Sequence, residues 1–327
     1  MILQTNTQTS PQLNSTTQLI NILNQKANPI LDALMQNNQS LGSQNTSLNT
    51  LNPSDFLKNI FQIIKNGDMS QNAIFEMLKN NPTIKNSGTF GENIQELIKM
   101  LSQNPTQNSQ NVNNLLTHIQ NLQPQVLQNS LLNSGIFLES NLLKMALGDL
   151  GIQDLTKDIK AVLYQLKNEI LAKIAEQPQN QSQQNQNILN QTEKLIAQVE
   201  YFQLLSLYGN GNYFYMPFYW EDLVGGTIYT RKDEDKTYCE IDLELQSYGN
   251  IRVMLSLFGK DTIDISFSIQ NGELKTLLQD NLKLLRANIN KADLNLMGVK
   301  IIDRQKASSN PYQNNNTQNQ DNVGIKI

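Results

Sequence analysis

The sequence predicts an α+β carboxy-terminal domain: an antiparallel sheet covered by one long helix. Before it come a mainly α-helical region and long Asn/Gln-rich disordered segments. Three observations carry this reading. Apolar and polar residues alternate from about 238 to 269, the period of strands with one buried face. Leucines at 274–289 recur at helical spacing. Elsewhere charge is sparse: Asp, Glu, Lys and Arg are 17% of the 327 residues, against roughly a quarter in globular chains.

Residues 1–54 hold only two charged side chains, Lys26 and Asp32, among Asn, Gln, Ser and Thr. Such a segment buries too little apolar surface to offset its ordering entropy, so disorder is expected. The start lacks the basic and apolar regions of a signal peptide. No stretch approaches the roughly 18 apolar residues of a spanning helix.

Residues 55–176 read as helical. DFLKNIFQIIKNG carries Phe56, Leu57, Ile60, Phe61, Ile63 and Ile64 on one face. FGENIQELIKMLSQN adds Ile94, Leu97, Ile98 and Leu101, and VNNLLTHIQNL adds Leu115, Leu116, Ile119 and Leu122. Asn104-Pro105 and Gln123-Pro124 end these runs. The longest helix is LTKDIKAVLYQLKNEILAKIAEQ, with Ile159, Val162, Leu163, Leu166, Ile170, Leu171 and Ile174 recurring at helical spacing as its apolar face. Lys157, Lys160, Lys167, Glu169, Lys173 and Glu176 are expected on its more exposed side. Residues 177–190, which include PQNQSQQNQN, read as a flexible linker. The last domain, 191–303, opens with a helix through LIAQVEYFQLLSLY.

From Tyr213 the period changes to that of strands. In YFYMPFYW, Pro217 suggests an edge strand. Gly225-Gly226 is expected to interrupt the chain before TIYTRK starts a second strand, and KDEDK makes a charged turn. Cys239, Ile241, Leu243 and Leu245 then face one way, and Glu240, Asp242, Glu244 and Gln246 the other. A turn follows at 247–250, with Gly249-Asn250 at its tip. Ile251, Val253, Leu255 and Leu257 continue the apolar face, and after a turn at 259–261 so do Ile263, Ile265, Phe267 and Ile269. Asn271 is the expected N-cap of the covering helix, with Glu273 in its first turn. Its stripe is Leu274, Leu277, Leu278, Leu282, Leu285 and Ile289. Burying six such side chains is worth on the order of 10 kcal/mol before entropy is counted. DLNLMGVKII reads as a last strand pairing back with the sheet, and 304–327 as a disordered tail. The predicted core is Ile241, Leu243, Leu245, Val253, Leu255, Ile265, Phe267, Leu278, Leu282 and Leu285. Tyr248, Gly249, Asn250 and Phe258, at strand ends, are the candidate partner-contact or turn positions.

Chemistry leaves little trace. There is no phosphate-binding glycine loop and no paired cysteine motif. The single histidine, His118, has no nucleophile signature or ligand cluster beside it. Glu240, Asp242 and Glu244 read as the solvated side of a strand. No catalytic, cofactor-binding or metal residue is therefore assigned, and neither an enzyme nor a small-molecule substrate is expected. A formal charge of −4 with scattered lysines argues against nucleic acid. Cys239, the one cysteine, forms no internal disulfide and falls on an apolar strand face, as a small buried hydrophobe does.

LELQSYGNIRVMLSLFGKDTIDISFSI followed by LKTLLQDNLKLLRANINKADLNLMGVKI resembles the carboxy-terminal domain of the bacterial flagellar hook-length control family. Leu243 and Leu245 match its first strand, Gly249 its turn glycine, Val253 and Leu255 its next strand, and Phe267 the one after. Leu284, Leu285 and Arg286 stand at its helical "LR" step, with Ile289 following. Gln246, Ser247 and Tyr248 replace the usual Pro and Glu before the turn, and Lys291-Ala292-Asp293 replaces the usual glycine after the helix. SGIFLESNLL also resembles a piece found upstream in some relatives. The resemblance implies an amino-terminal part exported through the flagellar type III apparatus as a length-measuring segment. It implies a terminal domain that meets the cytoplasmic part of an export-gate membrane protein and switches substrate specificity. Hook or hook-cap proteins are further implied partners. The location implied is cytoplasmic or exported, not membrane-embedded. The other reading is a non-catalytic structural or adaptor protein of another secretion or cell-surface system.

Overall fold

The computed structural model describes residues 53–67, 69–106, 109, 112–113, 129–147, 157–176, 182–216, 220–303 and 324–325. Nearly all of the amino-terminal segment expected to be disordered therefore lies outside the described residues, as do His118, Pro217, residues 177–181 and most of the tail. The helices in chain order are α1 Pro53–Asn66, α2 Gln71–Asn80, α3 Pro82–Lys85, α4 Phe90–Gln103, α5 Leu138–Leu147, α6 Ile159–Glu176 and α7 Ser182–Tyr208. The strands are β1 Asn212–Tyr215, β2 Leu223–Asp233, β3 Lys236–Leu245, β4 Gly249–Phe258 and β5 Thr262–Ile269. Helices α8 Gly272–Asp280 and α9 Leu282–Lys291, strand β6 Asn295–Asp303 and the two-residue β7 Gly324–Ile325 complete the order.

The chain forms two compact units. The first takes the described residues within 53–66, 94–113 and 129–199. Phe56, Leu57 and Ile60 of α1, Leu97 and Leu101 of α4, Val162, Leu163, Leu166 and Ile170 of α6, and Leu195 and Val199 of α7 are buried there. The interior also holds charge, which corrects the expectation for α6. Lys160 and Lys167 are buried, not exposed. Their Nζ atoms meet Glu139 Oε1 at 2.7 Å and Glu193 Oε1 at 2.8 Å. Apolar neighbours enclose more of α6 than a single stripe accounts for, and each buried ammonium is retained by a carboxylate. At the start of α6, the Asp158 carboxylate accepts from the Ala161 N–H at 3.1 Å, as an N-cap does.

Composition also misreads 182–190. These residues, part of the expected linker, are the first turns of α7. Gln183 donates to Asn187 and Gln186 to Asn190, one helical turn apart, and Asn185 is buried with its Oδ1 accepting from Asn104 Nδ2 at 2.7 Å. An uncharged Gln/Asn run is a tolerable helix former once such partners exist.

The second unit takes the described residues within 67–93 and from 200 onward. Helix α2, which the pattern reading passed over, begins at Ser70, whose side chain accepts from the Ala73 N–H. Ile74 and Leu78 are buried, and the Tyr201 hydroxyl donates to the Leu78 carbonyl at 3.1 Å. Thr89 and Glu92 form a reciprocal capping box at the start of α4, each side chain accepting from the other's N–H at 3.1 Å.

The sheet runs β1-β2-β3-β4-β5-β6-β7 in chain order. β1 to β5 pair antiparallel, but β6 lies parallel to β5 because helices α8 and α9 carry the chain back across the sheet. Two expectations change. The Gly225-Gly226 pair does not end a strand. It lies inside β2, where the register shifts between Leu223 and Gly225. A Cβ on Gly226 would stand 3.0 Å from Leu243 Cδ2 and 3.1 Å from the Asp242 carbonyl, so the approach to β3 is tight and a larger residue would have to push these neighbours back by a few tenths of an ångström. The one long covering helix is in fact two, α8 and α9, divided at Asn281. Asn281 has φ −102° and ψ 8°, and its side-chain Nδ2 donates to the Leu277 carbonyl at 2.8 Å. That local bond competes with helix continuation. Asn271 caps α8 as the sequence indicates, accepting from the Leu274 N–H at 3.0 Å.

Candidate protein-interaction surface

The register decides what each sheet face presents. Ile228, Ile241, Val253, Phe267 and Ile301 follow one another across β2 to β6 on one face. The lid closes only part of it. Leu282, Leu285 and Ile289 of α9 gather with Leu294 on the buried Ile263, Ile265, Leu296 and Val299, and Val253, Leu255, Leu257 and Phe267 pack at the margin. On β3, Cys239, Ile241, Leu243 and Leu245 stay half-buried. Burial, and secondarily the neighbouring Glu240 carboxylate, pushes the Cys239 thiol up to about 11, so it is not a nucleophile at neutral pH.

The opposite face is divided as well. Its β1 end is aromatic and covered. Phe90 stacks on Tyr215 with ring centroids 4.1 Å apart, Phe202 meets the same ring edge-on at 5.8 Å, and Phe75 lies 5.9 Å from Tyr213. Toward the centre the acids of β3 are not a bare row. Arg252, opposite Asp242 in register, reaches Asp242 Oδ1 at 2.7 Å and Oδ2 at 3.0 Å, and its Nε is 3.1 Å from Glu240 Oε1. Met254, next on that face, is 36% exposed. The pattern reading named the carboxylates and missed their arginine. The signal was available, since two residues in antiparallel strands joined by a short turn face each other at predictable numbers.

The candidate contact positions fall at opposite ends of β4. The bend after β3 is at 246–248, earlier than expected, held by Asp222 accepting from the Gln246 and Ser247 N–H groups. Tyr248 is half-buried there. Gly249 (φ +73°) and Asn250 already belong to β4, opposite Leu245 and Glu244. Phe258 closes the other end, with Lys236 Nζ 5.3 Å from its ring centroid. Nine residue steps of strand put the two groups about 30 Å apart, so they do not form one patch. Of the predicted core, Ile265 is fully enclosed. Val253, Leu255, Phe267, Leu282 and Leu285 pack around it, while Ile241, Leu243, Leu245 and Leu278 remain half-buried.

Among the described residues no group of three His, Cys, Asp or Glu side chains could hold a metal ion, and no helix is long and apolar enough to cross a membrane. The arrangement defines an α+β sheet domain with a helical crossover and a half-covered apolar face. Residues 225–310 match the family described as flagellar hook-length control protein FliK. The matched stretch runs from the glycine pair in β2 to just beyond β6, and so contains the whole crossover. The family is non-catalytic, and the match supports a FliK-like role in hook-length control in general. No curated protein and no solved structure matches the chain.

Proposed function

We propose that the chain controls flagellar hook length and switches type III export from hook to filament substrates, its carboxy-terminal domain binding the cytoplasmic part of the export-gate membrane protein. The match over 225–310 carries this reading. The half-buried apolar residues of β3, Ile241 and Leu243, support it physically, because a partner could complete the burial the lid leaves unfinished. The amino-terminal segment, with only Lys26 and Asp32 charged in its first 54 residues, suits a chain that must be threaded unfolded during export. In cells lacking residues 210–303, hooks should grow overlong and filaments should be absent. Full-length chain should retain the gate protein's cytoplasmic domain in a pull-down, and Ile241→Asp should weaken that retention. Normal filaments in the deletion strain overturn the reading.

A further inference from the structure

Strand β1 lies at the edge of the sheet, is four residues long and pairs with β2 at 227–230. An edge strand that short has few ladder bonds and depends on packing against its face. That packing comes from far upstream. Residues 69–93, which hold α2, α3 and the first turn of α4, belong to the second unit, whereas the segments on either side, 53–66 and 94–113, belong to the first. The grip on β1 is aromatic. Phe90 stacks on Tyr215 at 4.1 Å, and Phe75 lies 5.9 Å from Tyr213. Gly209 leaves room for this: a Cβ there would stand 2.7 Å from Tyr213 Cε2 and 3.0 Å from Phe75 Cε2. At the other end, a Cβ on Gly225 would stand 4.0 Å from Thr89 Cγ2, so the segment reaches the first residue of the family match while lying outside it.

The segment also satisfies many of its own polar groups. Ser70 caps α2, and the Thr83 N–H donates to Asn81 Oδ1 at 2.7 Å. The Asn93 amide donates to the Ser87 and Gly88 carbonyls at 3.0 and 3.4 Å, and Thr89 and Glu92 cap α4. Asn81 and Asn93 are buried, as are Ile74, Leu78, Ile84 and Phe90. A piece bonded internally in this way can leave its seat at the cost of apolar and ring contacts and the Tyr201–Leu78 hydrogen bond, with few backbone groups left unpaired. Strands β3 to β5 hold together by other means: they pair with one another, and Val253, Leu255 and Phe267 pack with Ile265 beneath α9.

We propose that residues 69–93 are a strap in cis that holds β1 on the sheet, and that its release opens the β1 end of the second unit while β3 to β5 stay folded. What this does for the protein rests on the export reading above. In chain order the strap precedes every strand. A chain drawn out amino terminus first therefore gives up the strap before the sheet, and β1 comes free with Tyr213 and Tyr215 uncovered. The carboxy-terminal domain thereby registers withdrawal of the amino-terminal part, and the opened β1 end is its switching state.

The test begins with the full chain and no substitution. Native-state hydrogen exchange is followed at rising, sub-denaturing urea. Peptides covering 71–80 and 212–215 should lose protection together, at lower urea than 238–269. Phe75→Leu/Phe90→Leu keeps apolar bulk and removes both ring contacts, so it should speed exchange in both peptides about tenfold and leave 238–269 unchanged. All three regions opening together, or 212–215 holding while 71–80 opens, overturns the strap. If the double variant loses protection throughout, the urea series on the parent decides. In cells, the same variant should carry filaments on hooks shorter than the parent's, because the strap leaves early. Exchange as expected with hooks of parental or greater length overturns the regulatory role alone. Normal filaments in cells lacking 210–303 overturn the export reading and that role with it, while the strap stands or falls on exchange.

Discussion

Arg252 and Asp242 face each other across β3 and β4 with two hydrogen bonds, Nε to Oδ1 at 2.7 Å and Nη2 to Oδ2 at 3.0 Å. The forked geometry fixes the pair, and Glu240 shares the same Nε at 3.1 Å. Both side chains of the pair are partly exposed, so solvent weakens their attraction. Arg252→Ala should therefore lower the stability of the full chain by only about 1 kcal/mol. Arg252→Lys, which keeps the charge but loses the fork, should recover less than half of that. Urea denaturation checks both, and the gap from the parent should narrow in high salt.

Asp293 occupies the left-handed conformation, φ +57°, which favours glycine. The end of α9 is wound around it: the Leu294 N–H reaches the Ile289 carbonyl at 3.2 Å and the Asp293 N–H that of Asn290 at 3.1 Å. Leu294 and Ile289 also meet in the core, the apolar contact that accompanies such a cap. A side chain in this conformation costs roughly 1 kcal/mol that glycine does not pay. Asp293→Gly should raise the unfolding midpoint accordingly, by about 1 kcal/mol less the added freedom of the unfolded glycine. A lower midpoint would show that the aspartate contributes more than its strain costs.

Asp293 also marks where pattern reading stops. Alternation over 238–269 was legible because a strand with one covered face repeats every two residues, and the two hairpins joining its three strands follow from it. The break at Asn281 was not, because Leu278, Leu282 and Leu285 keep helical spacing straight through it. At Asn281 the backbone turns to ψ 8° while its side chain joins its own N–H on the Leu277 carbonyl, and a period does not report such local geometry. The bulges at Val224 and Met297 are one-residue register events of the same kind. Lys160 and Lys167 were assigned to the surface by chemistry alone; their burial depends on Glu139 and Glu193, residues distant in sequence. For the interaction surface, the polar face could be read, but its aromatic cover at β1 comes from Phe75, Phe90 and Phe202 on separate helices.

Gly135, in the SGIFLESNLL segment, has φ +83°. A Cβ there would lie 2.6 Å from Lys160 Cβ and 3.0 Å from both the Lys160 nitrogen and Val199 Cγ1. Two of these atoms belong to well-fixed helix, so neither can retreat. Gly135→Ala combines left-handed strain with overlap and should cost about 3 kcal/mol or more. Gly67→Ala is the control: it shares a positive φ, +72°, but a Cβ there meets nothing within 4 Å, so only strain of about 1 kcal/mol is expected. Equal losses in thermal unfolding would refute the packing argument.

Asp158 combines a helix cap with burial. Its Oδ1 accepts from the Ala161 N–H, while Oδ2 is buried without a hydrogen-bond partner. Desolvation raises its pKa from the ordinary 3.8 to about 7, against the opposing pull of the Ala161 N–H and the Lys160 charge. Since the folded value lies above the unfolded one, the folded chain holds the proton where the unfolded chain has released it. The contribution to stability is then full below about pH 4, declines as pH rises, and is gone above about pH 7. Asparagine keeps the capping oxygen and carries no charge at any pH. The stability of Asp158→Asn relative to the parent should thus climb between pH 4 and pH 7 and level off above it, by up to a few kcal/mol. Urea midpoints taken at intervals from pH 4 to pH 8 measure that difference directly. A difference independent of pH would mean that Asp158 stays ionised in the folded chain, with Lys160 holding its charge in place of the proton.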